Sequence, residues 1–348
     1  MIKVLVVDDS ALIRKILTEE LSKYPDIKVV GSAIDPYFAR DKIIETEPDV
    51  VILDLEMPRM DGLSFLSKLM KYYPKPVVVF SSLTREMNDT AIKALELGAV
   101  EVVGKPVSYS TTDEVNKRLV RAIRNASMVR FSDKPYQNIT NQTVEVKNKV
   151  STNFTTTHKV IAIGSSTGGT IALEKVLTEL PADTPGIVVV QHMPEGFTAS
   201  FAKRLNDLCV LEVREAKDGD MVVSGRVLIA PGNKHMVVER SGGNYIVRIK
   251  DGPMEHFQRP AVDPLFRSVA KNVGKNAIGV ILTGMGSDGA QGMLEMKRSG
   301  AYNIAQDEKS SLVFGMPKEA INLGGVDEIL SLEKIPAKLI ELSEKIKV

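Results

Sequence analysis

Sulfur chemistry is nearly absent from this chain. One cysteine, Cys209, occurs in 348 residues. That excludes an internal disulfide and any zinc site built on several thiolates, and it fits a reducing compartment. Long apolar runs are missing too: no stretch approaches the roughly 18 residues a membrane-spanning helix needs. Excess charge is the third absence. With 45 Lys+Arg against 44 Asp+Glu, and neither half distinctly basic or acidic, nothing favours bulk binding to nucleic acid or anionic lipid. No short-period repeat of the solenoid kind occurs. The first residues run straight into a strand pattern with no signal peptide, so a cytoplasmic protein is expected.

What is present divides once. The chain is long enough for two domains with separate cores. The stretch SDKPYQNITNQTVEVKNKVSTNFTTT, residues 132–157, is polar, rich in Thr and Asn, and has too few hydrophobes for a core. It reads as a linker. The expected division is 1–125, a linker over 126–157, and a second domain over 158–348.

The first half alternates strand and helix patterns. IKVLVV, residues 2–7, is followed by Asp8, Asp9, Ser10 and the helix pattern ALIRKILTEELSKY, with further strands near 28–33, 50–54, 77–82 and 101–105. Five strands separated by helices predict a doubly wound parallel sheet, with ligands at the carboxyl ends of its strands. Asp8 and Asp9 follow the first strand, Asp54 ends the third, Ser81 and Ser82 follow the fourth, and Lys105 follows the fifth. Each has a plainer role available: Asp9 or Ser10 can cap a helix, and Lys105-Pro106 can end a strand. Together they suit a phosphorylatable aspartate, which needs a hard cation and a lysine to neutralise the phosphoryl group and a hydroxyl to receive it.

The segments VDDS, LDLEMPRMDG, VFSSLT and GKP resemble the receiver domain of bacterial response regulators over about residues 1–125. The resemblance implies that Asp54 is the phosphoacceptor. It further implies Mg²⁺ held by Asp8, Asp9, Asp54 and the Glu56 carbonyl, with Ser81 and Lys105 on the phosphoryl group. Where many receivers carry an aromatic switch residue, three before the lysine, this chain has Val102.

The second half is again α/β, with strands expected at 159–163, 187–191, 210–215, 226–230 and 277–282. A hairpin, HMVVERSGGNYIVRI, turns on Gly242-Gly243. Between the strand ending at Ile163 and the helix pattern IALEKVLTEL lies GSSTGGT. A strand-to-helix turn so rich in glycine either cradles a phosphate at a helix N-terminus or lifts a serine to a sharp bend, as G-x-S-x-G does with Ser166 at its tip. The phosphate reading makes the second half a nucleotide-binding output module. Against it, the loop lacks the P-loop lysine and the spacing of G-x-G-x-x-G.

A nucleophilic serine needs a base, and the chain has four histidines. His158 borders the linker and His256 lies in the irregular EHFQRP. His192 directly follows the strand GIVVV, while His235 opens the hairpin. Spacing leaves both His192 and His235 open as the base. For the third member, the strand AIGVILTG leads to Met285, Gly286, Ser287 and Asp288. Asp288 can reach an imidazole, or Ser287 or Asp288 can simply cap the next helix. The order Ser, His, Asp is not that of the α/β-hydrolases, yet triads are recognised by geometry and several orders satisfy them.

The segments IGSSTGGT, QHMPEGFT, APGNKHM, RPAVDPLF, GVILTGMGSDGA, AQDEKSSLVFGMPKEAI and GGV resemble the catalytic domain of chemotaxis protein-glutamate methylesterases. The resemblance implies Ser166 as nucleophile, His192 as general base, Asp288 as its orienting partner and the Met285 N–H in the oxyanion hole. No cofactor is implied for the ester chemistry. It implies hydrolysis of glutamate methyl esters, and deamidation of specific glutamines, on the cytoplasmic helices of chemoreceptors. The implied partners are those receptors and a chemotaxis histidine kinase as phosphodonor, with no nucleic acid and no membrane insertion. Ser165 stands where relatives often have alanine.

Overall fold

The computed structural model describes residues 1–57, 61–82, 85–105, 112–129 and 159–344, which fall into two compact units, Met1–Gln142 and Thr143–Val348. Residues 130–158, most of the expected linker, lie outside the described residues, as does His158.

The first unit runs β1 (Ile2–Val7), α1 (Ala11–Leu21), β2 (Ile27–Ala33), α2 (Pro36–Thr46), β3 (Val50–Leu53), α3 (Gly62–Tyr72), β4 (Val77–Ser81), α4 (Arg85–Glu96), β5 (Glu101–Gly104) and α5 (Thr112–Ser127). All neighbouring strands are parallel, in the order β2-β1-β3-β4-β5. Helices cover both faces of such a sheet, so its strands are apolar throughout rather than alternating. Val4–Val7, Val50–Leu53 and Val77–Val79 are accordingly buried. Ser10, not Asp9, caps α1, its Oγ accepting from the Ile13 N–H. Helix α5 continues two residues into the expected linker because Leu119, Val120, Ile123 and Ala126 recur at helical spacing and are buried.

The second unit runs β6 (Val160–Ser165), α6 (Gly169–Thr178), β7 (Gly186–Gln191), α7 (Phe197–Leu208), β8 (Glu212–Glu215), β9 (Met221–Val222), β10 (Arg226–Ile229), β11 (His235–Ser241) and β12 (Asn244–Lys250). It continues with α8 (Val262–Asn272), β13 (Ala277–Ile281), α9 (Ala290–Arg298), β14 (Tyr302–Gln306), α10 (Met316–Asn322), β15 (Glu328–Leu330) and α11 (Ile335–Glu344). Seven parallel strands form its main sheet, ordered β15-β14-β13-β6-β7-β10-β8. The five expected strands lie side by side within it. Two were not expected, β14 and β15, which extend one edge. β14 reads poorly as a buried strand because Asn303 and Gln306 are fully buried in it; the Asn303 Nδ2 donates to the carbonyls of Met293 and Gly325. The hairpin of β11 and β12 turns on Gly242-Gly243 as expected, and β9 adds a third antiparallel strand.

Both sheets reverse their strand order once, between β1 and β3 and between β6 and β13. Such a reversal opens a crevice at the carboxyl ends of the strands. Each cluster of candidate site residues flanks one of these two points.

Candidate active site

Ser166, His192 and Asp288 follow three adjacent strands. Ser165 pairs with Gln191 across β6 and β7, so Ser166 and His192 are the next residues of two neighbouring strands. On the other side β13 pairs with β6, and its exit carries residues 282–289. The Ser166 backbone is tied on both sides. Its N–H donates to the Thr283 carbonyl (3.0 Å), and its carbonyl accepts from Gln191 Nε2 (2.9 Å) and the Gly169 N–H (2.7 Å). The bend itself falls later than the motif suggests. The left-handed residue is Gly168 (φ +78°), the N-cap of α6, while Ser166 is not among the positive-φ residues. Two of the loop's N–H groups, those of Ser166 and Gly169, are therefore used internally, which leaves a poor cradle for a phosphate.

His192 Nε2 lies 2.8 Å from Asp288 Oδ2, with the His192 side chain 4% exposed and that of Asp288 2%. The carboxylate also accepts from the N–H of Val262 (2.7 Å) and of Asp263 (2.9 Å). Burial works to raise the Asp288 carboxyl, but the His192 bond and these two N–H donors outweigh it and hold it below the usual carboxylate range. An ionised carboxylate only accepts, so the His192 proton belongs on Nε2 and the lone pair on Nδ1. Nδ1 is buried and has no hydrogen-bond partner among the described residues. Its lone pair is free to accept a proton.

His235 is differently employed. Its Nε2 meets the Pro253 carbonyl at 2.9 Å and its Nδ1 accepts from the Ala261 N–H at 3.3 Å. A carbonyl takes a proton and an N–H supplies one, so both ring nitrogens are spoken for. Of the two histidines that spacing left open, His192 has an unpartnered ring nitrogen and His235 has none. His256 bonds Asp263 at 2.9 Å.

Met285 sits on the β13 exit loop, half buried, and its N–H has no acceptor among the described residues. The loop passes close to the serine: a Cβ on Gly284 would lie 2.8 Å from the Ser166 Cβ, so only glycine fits there. Ser165 Oγ is fully buried and donates to Gln191 Oε1 at 2.7 Å. Gln191, Thr283 and Asp263 escape sequence reasoning because each acts through partners more than 20 positions away.

In the first unit Lys105 Nζ lies 2.7 Å from Asp54 Oδ2 and 2.9 Å from Asp8 Oδ2. Asp8, Asp9 and Asp54 bring carboxylate oxygens within 4.8 Å of one another, with Asp8 and Asp54 buried and Asp9 exposed. One ammonium faces three carboxylates, and that imbalance shapes the charges. Burial, with the Asp8 charge beside it, lifts the Asp54 carboxyl above its usual range despite Lys105 and the Glu56 N–H. Burial opposes the Lys105 charge, yet the two carboxylates win and hold its pKa above the usual lysine value. The acidic cluster suits a hard divalent cation. Ser81 is fully buried with its hydroxyl unpartnered among the described residues, whereas Ser82 donates to Glu56 Oε2 (3.1 Å). Sequence reasoning missed Arg14, whose Nη1 donates to the carbonyls of Asp8 and Asp9. Val102 is a buried β5 residue.

Two family models match the chain: CheB methylesterase over residues 161–339 and the response regulator receiver domain over residues 4–118. The chain is 56% identical over 341 residues to protein-glutamate methylesterase/protein-glutamine glutaminase 2 of Syntrophus aciditrophicus, covering 98% of this chain and 99% of that protein. It is 53% identical, covering 98% of each, to the protein-glutamate methylesterase/protein-glutamine glutaminase of Sulfurimonas denitrificans. Among solved structures, the Thermotoga maritima CheB methylesterase catalytic domain matches with a TM-score of 0.52 and 44% identity, over 53% of this chain and 98% of that one. No helix among the described residues is long and apolar enough to cross a membrane. The chain belongs to the CheB methylesterase family and carries a response regulator receiver domain ahead of the methylesterase domain.

Proposed function

We propose that this chain hydrolyses glutamate methyl esters, and deamidates specific glutamines, on the cytoplasmic helices of chemoreceptors, under control of its receiver. The reading rests on the 2.8 Å His192–Asp288 bond beside Ser166, with Nδ1 left as the lone-pair nitrogen. In the first step Ser166 Oγ attacks the ester carbonyl and its proton passes to His192 Nδ1. The developing imidazolium is stabilised by Asp288 through Nε2–H. The Met285 N–H and the N-terminus of α6 favour the oxyanion. Collapse expels methanol, which takes the proton back from His192. Water, deprotonated by the same nitrogen, then attacks the acyl-enzyme, and glutamate leaves as Ser166 Oγ takes that proton back from His192. For a glutamine, ammonia leaves instead.

Asp54 is the phosphoacceptor in this reading, and its donor is the chemotaxis histidine kinase. Asp8, Asp9, Asp54 and the Glu56 carbonyl would hold Mg²⁺, which supplies positive charge opposite the phosphoryl oxygens. Lys105 shares that role and releases its hold on Asp54 Oδ2 to do so. The unpartnered Ser81 hydroxyl is the group available to a phosphoryl oxygen. Phosphorylation raises esterase activity, and the enzyme works in the cytoplasm.

The test is methanol release from methylated receptor membranes, with and without a small phosphodonor and Mg²⁺. Release that rises with the phosphodonor is expected. A protein that releases no methanol under either condition would overturn the assignment.

A further inference from the structure

Asp263 is a carboxylate that the ester chemistry leaves unused, yet it is buried beside the site at 2% exposure. Its surroundings give it a specific task. Neither α8 nor α9 is capped by the side chain of its own N-cap residue, Ala261 or Gly289. Each is capped from the other's side. Asp288, just before α9, accepts from the N–H groups of Val262 and Asp263, the first two residues of α8. Asp263 accepts at Oδ1 from the N–H of Gly292, in the first turn of α9, at 2.7 Å. The two carboxylates thus exchange helix N-termini, each satisfying donors that would otherwise be orphaned.

The second oxygen of Asp263 meets His256 Nε2 at 2.9 Å. This repeats, one step outward, the carboxylate–imidazole bond of Asp288 and His192. His256 is 40% exposed and lies on a loop where it and Phe257 both adopt positive φ (52° and 60°). Two successive non-glycine residues in that region persist only where their surroundings hold them.

We propose that Asp263 is a positioning residue for Asp288. Reciprocal capping fixes the α8 N-terminus that holds Asp288 against His192, and the Asp263 charge adds to the field that stabilises the His192 imidazolium. The inference rests on reading Ser166, His192 and Asp288 as the hydrolytic triad. The titratable groups around Asp263 are Asp288 and, through it, His192, together with His256 from the loop. Glu255 of the same loop is paired with Arg267 of α8, and His235 is tied to the Ala261 N–H.

The test uses the full chain. Asp263→Asn keeps an oxygen for the Gly292 N–H but loses the charge and turns the acceptor facing His256 into an N–H donor, a second change that His256→Gln controls for. Its kcat for methanol release is expected to fall about 10- to 100-fold with KM nearly constant. The acid limb of kcat/KM, set by His192 deprotonation, moves down by roughly half a pH unit or more. His256→Gln retains the Asp263 charge, so its limb does not move down. Titration of the His192 ring by NMR, in the Ser166→Ala background with and without Asp263→Asn, reads the same shift without turnover. An unmoved limb and titration in Asp263→Asn, or an equal downward shift in His256→Gln, overturns the proposal. Should Asp263→Asn not fold, Asp263→Glu decides: charge kept and geometry altered, it loses kcat but keeps its limb. Wild-type kcat in that variant overturns the positioning role. A wild-type chain that hydrolyses no ester would instead sink the triad assignment itself.

Discussion

His192 and Asp288 stand 96 positions apart in the chain, and their Nε2 and Oδ2 atoms lie 2.8 Å apart. That contact spans the order reversal of the sheet, from the end of β7 across β6 to the loop leaving β13. It leaves His192 one free nitrogen in a buried setting, where a base acts on a neighbouring hydroxyl rather than on bulk water.

The two serines of the turn are expected to part company on substitution. Ser166→Ala removes the proposed nucleophile and should lose about 10³-fold or more in methanol release. Ser165→Ala leaves Gln191 Oε1 without its donor, which costs about 1–2 kcal/mol of stability but little turnover. A dead Ser165→Ala enzyme beside an active Ser166→Ala one would move the nucleophile by one residue.

The histidines should divide the same way. His192→Gln is expected to abolish turnover with the circular dichroism spectrum unchanged. His235→Leu strips the Ala261 N–H and the Pro253 carbonyl of their partner, so it should lower the melting midpoint through a loss of about 1–3 kcal/mol per orphaned group. Full activity in His192→Gln would return His235 to consideration.

Phosphorylation should depend on one carboxylate and on metal. Asp54→Asn is expected to take no label from a small phosphodonor, and its methanol release should no longer respond to that donor. Chelating Mg²⁺ with EDTA should block labelling of the wild type. Label retained by Asp54→Asn would point to Asp8 or Asp9.

The raised Asp54 pKa carries a stability consequence with a definite sign. Its folded pKa lies above that of the unfolded chain, so the folded state keeps this proton longer. Stability contributed by the group is then greatest at acid pH and falls as pH rises from about 4 through the folded pKa. Above the folded pKa the ionised carboxylate opposes folding. In metal-free buffer at pH 7, Asp54→Asn should therefore melt higher than the parent, with the gain shrinking as pH falls toward 4. Scanning calorimetry on both proteins checks this, and a lower melting point for the variant at pH 7 would refute it.

Much was legible in the chain itself for one physical reason. Parallel strands buried on both faces must be apolar runs, and the polar residues that follow them must collect at one edge. Asp8, Asp9, Asp54, Ser81, Lys105, Ser166 and His192 all sit directly at such strand ends, so local pattern placed them. Tertiary structure alone decided what depends on partners distant in the chain. Spacing could not separate His192 from His235; the difference is that Pro253 and Ala261 occupy both nitrogens of one, while Asp288 takes a single nitrogen of the other. Strands β14 and β15 were hidden because one carries buried amides and the other is three residues long. The exchange of caps between Asp263 and Asp288 leaves no trace in composition or periodicity. A side-chain hydrogen bond is set by where two helices start in space, and only the folded chain brings those starts together.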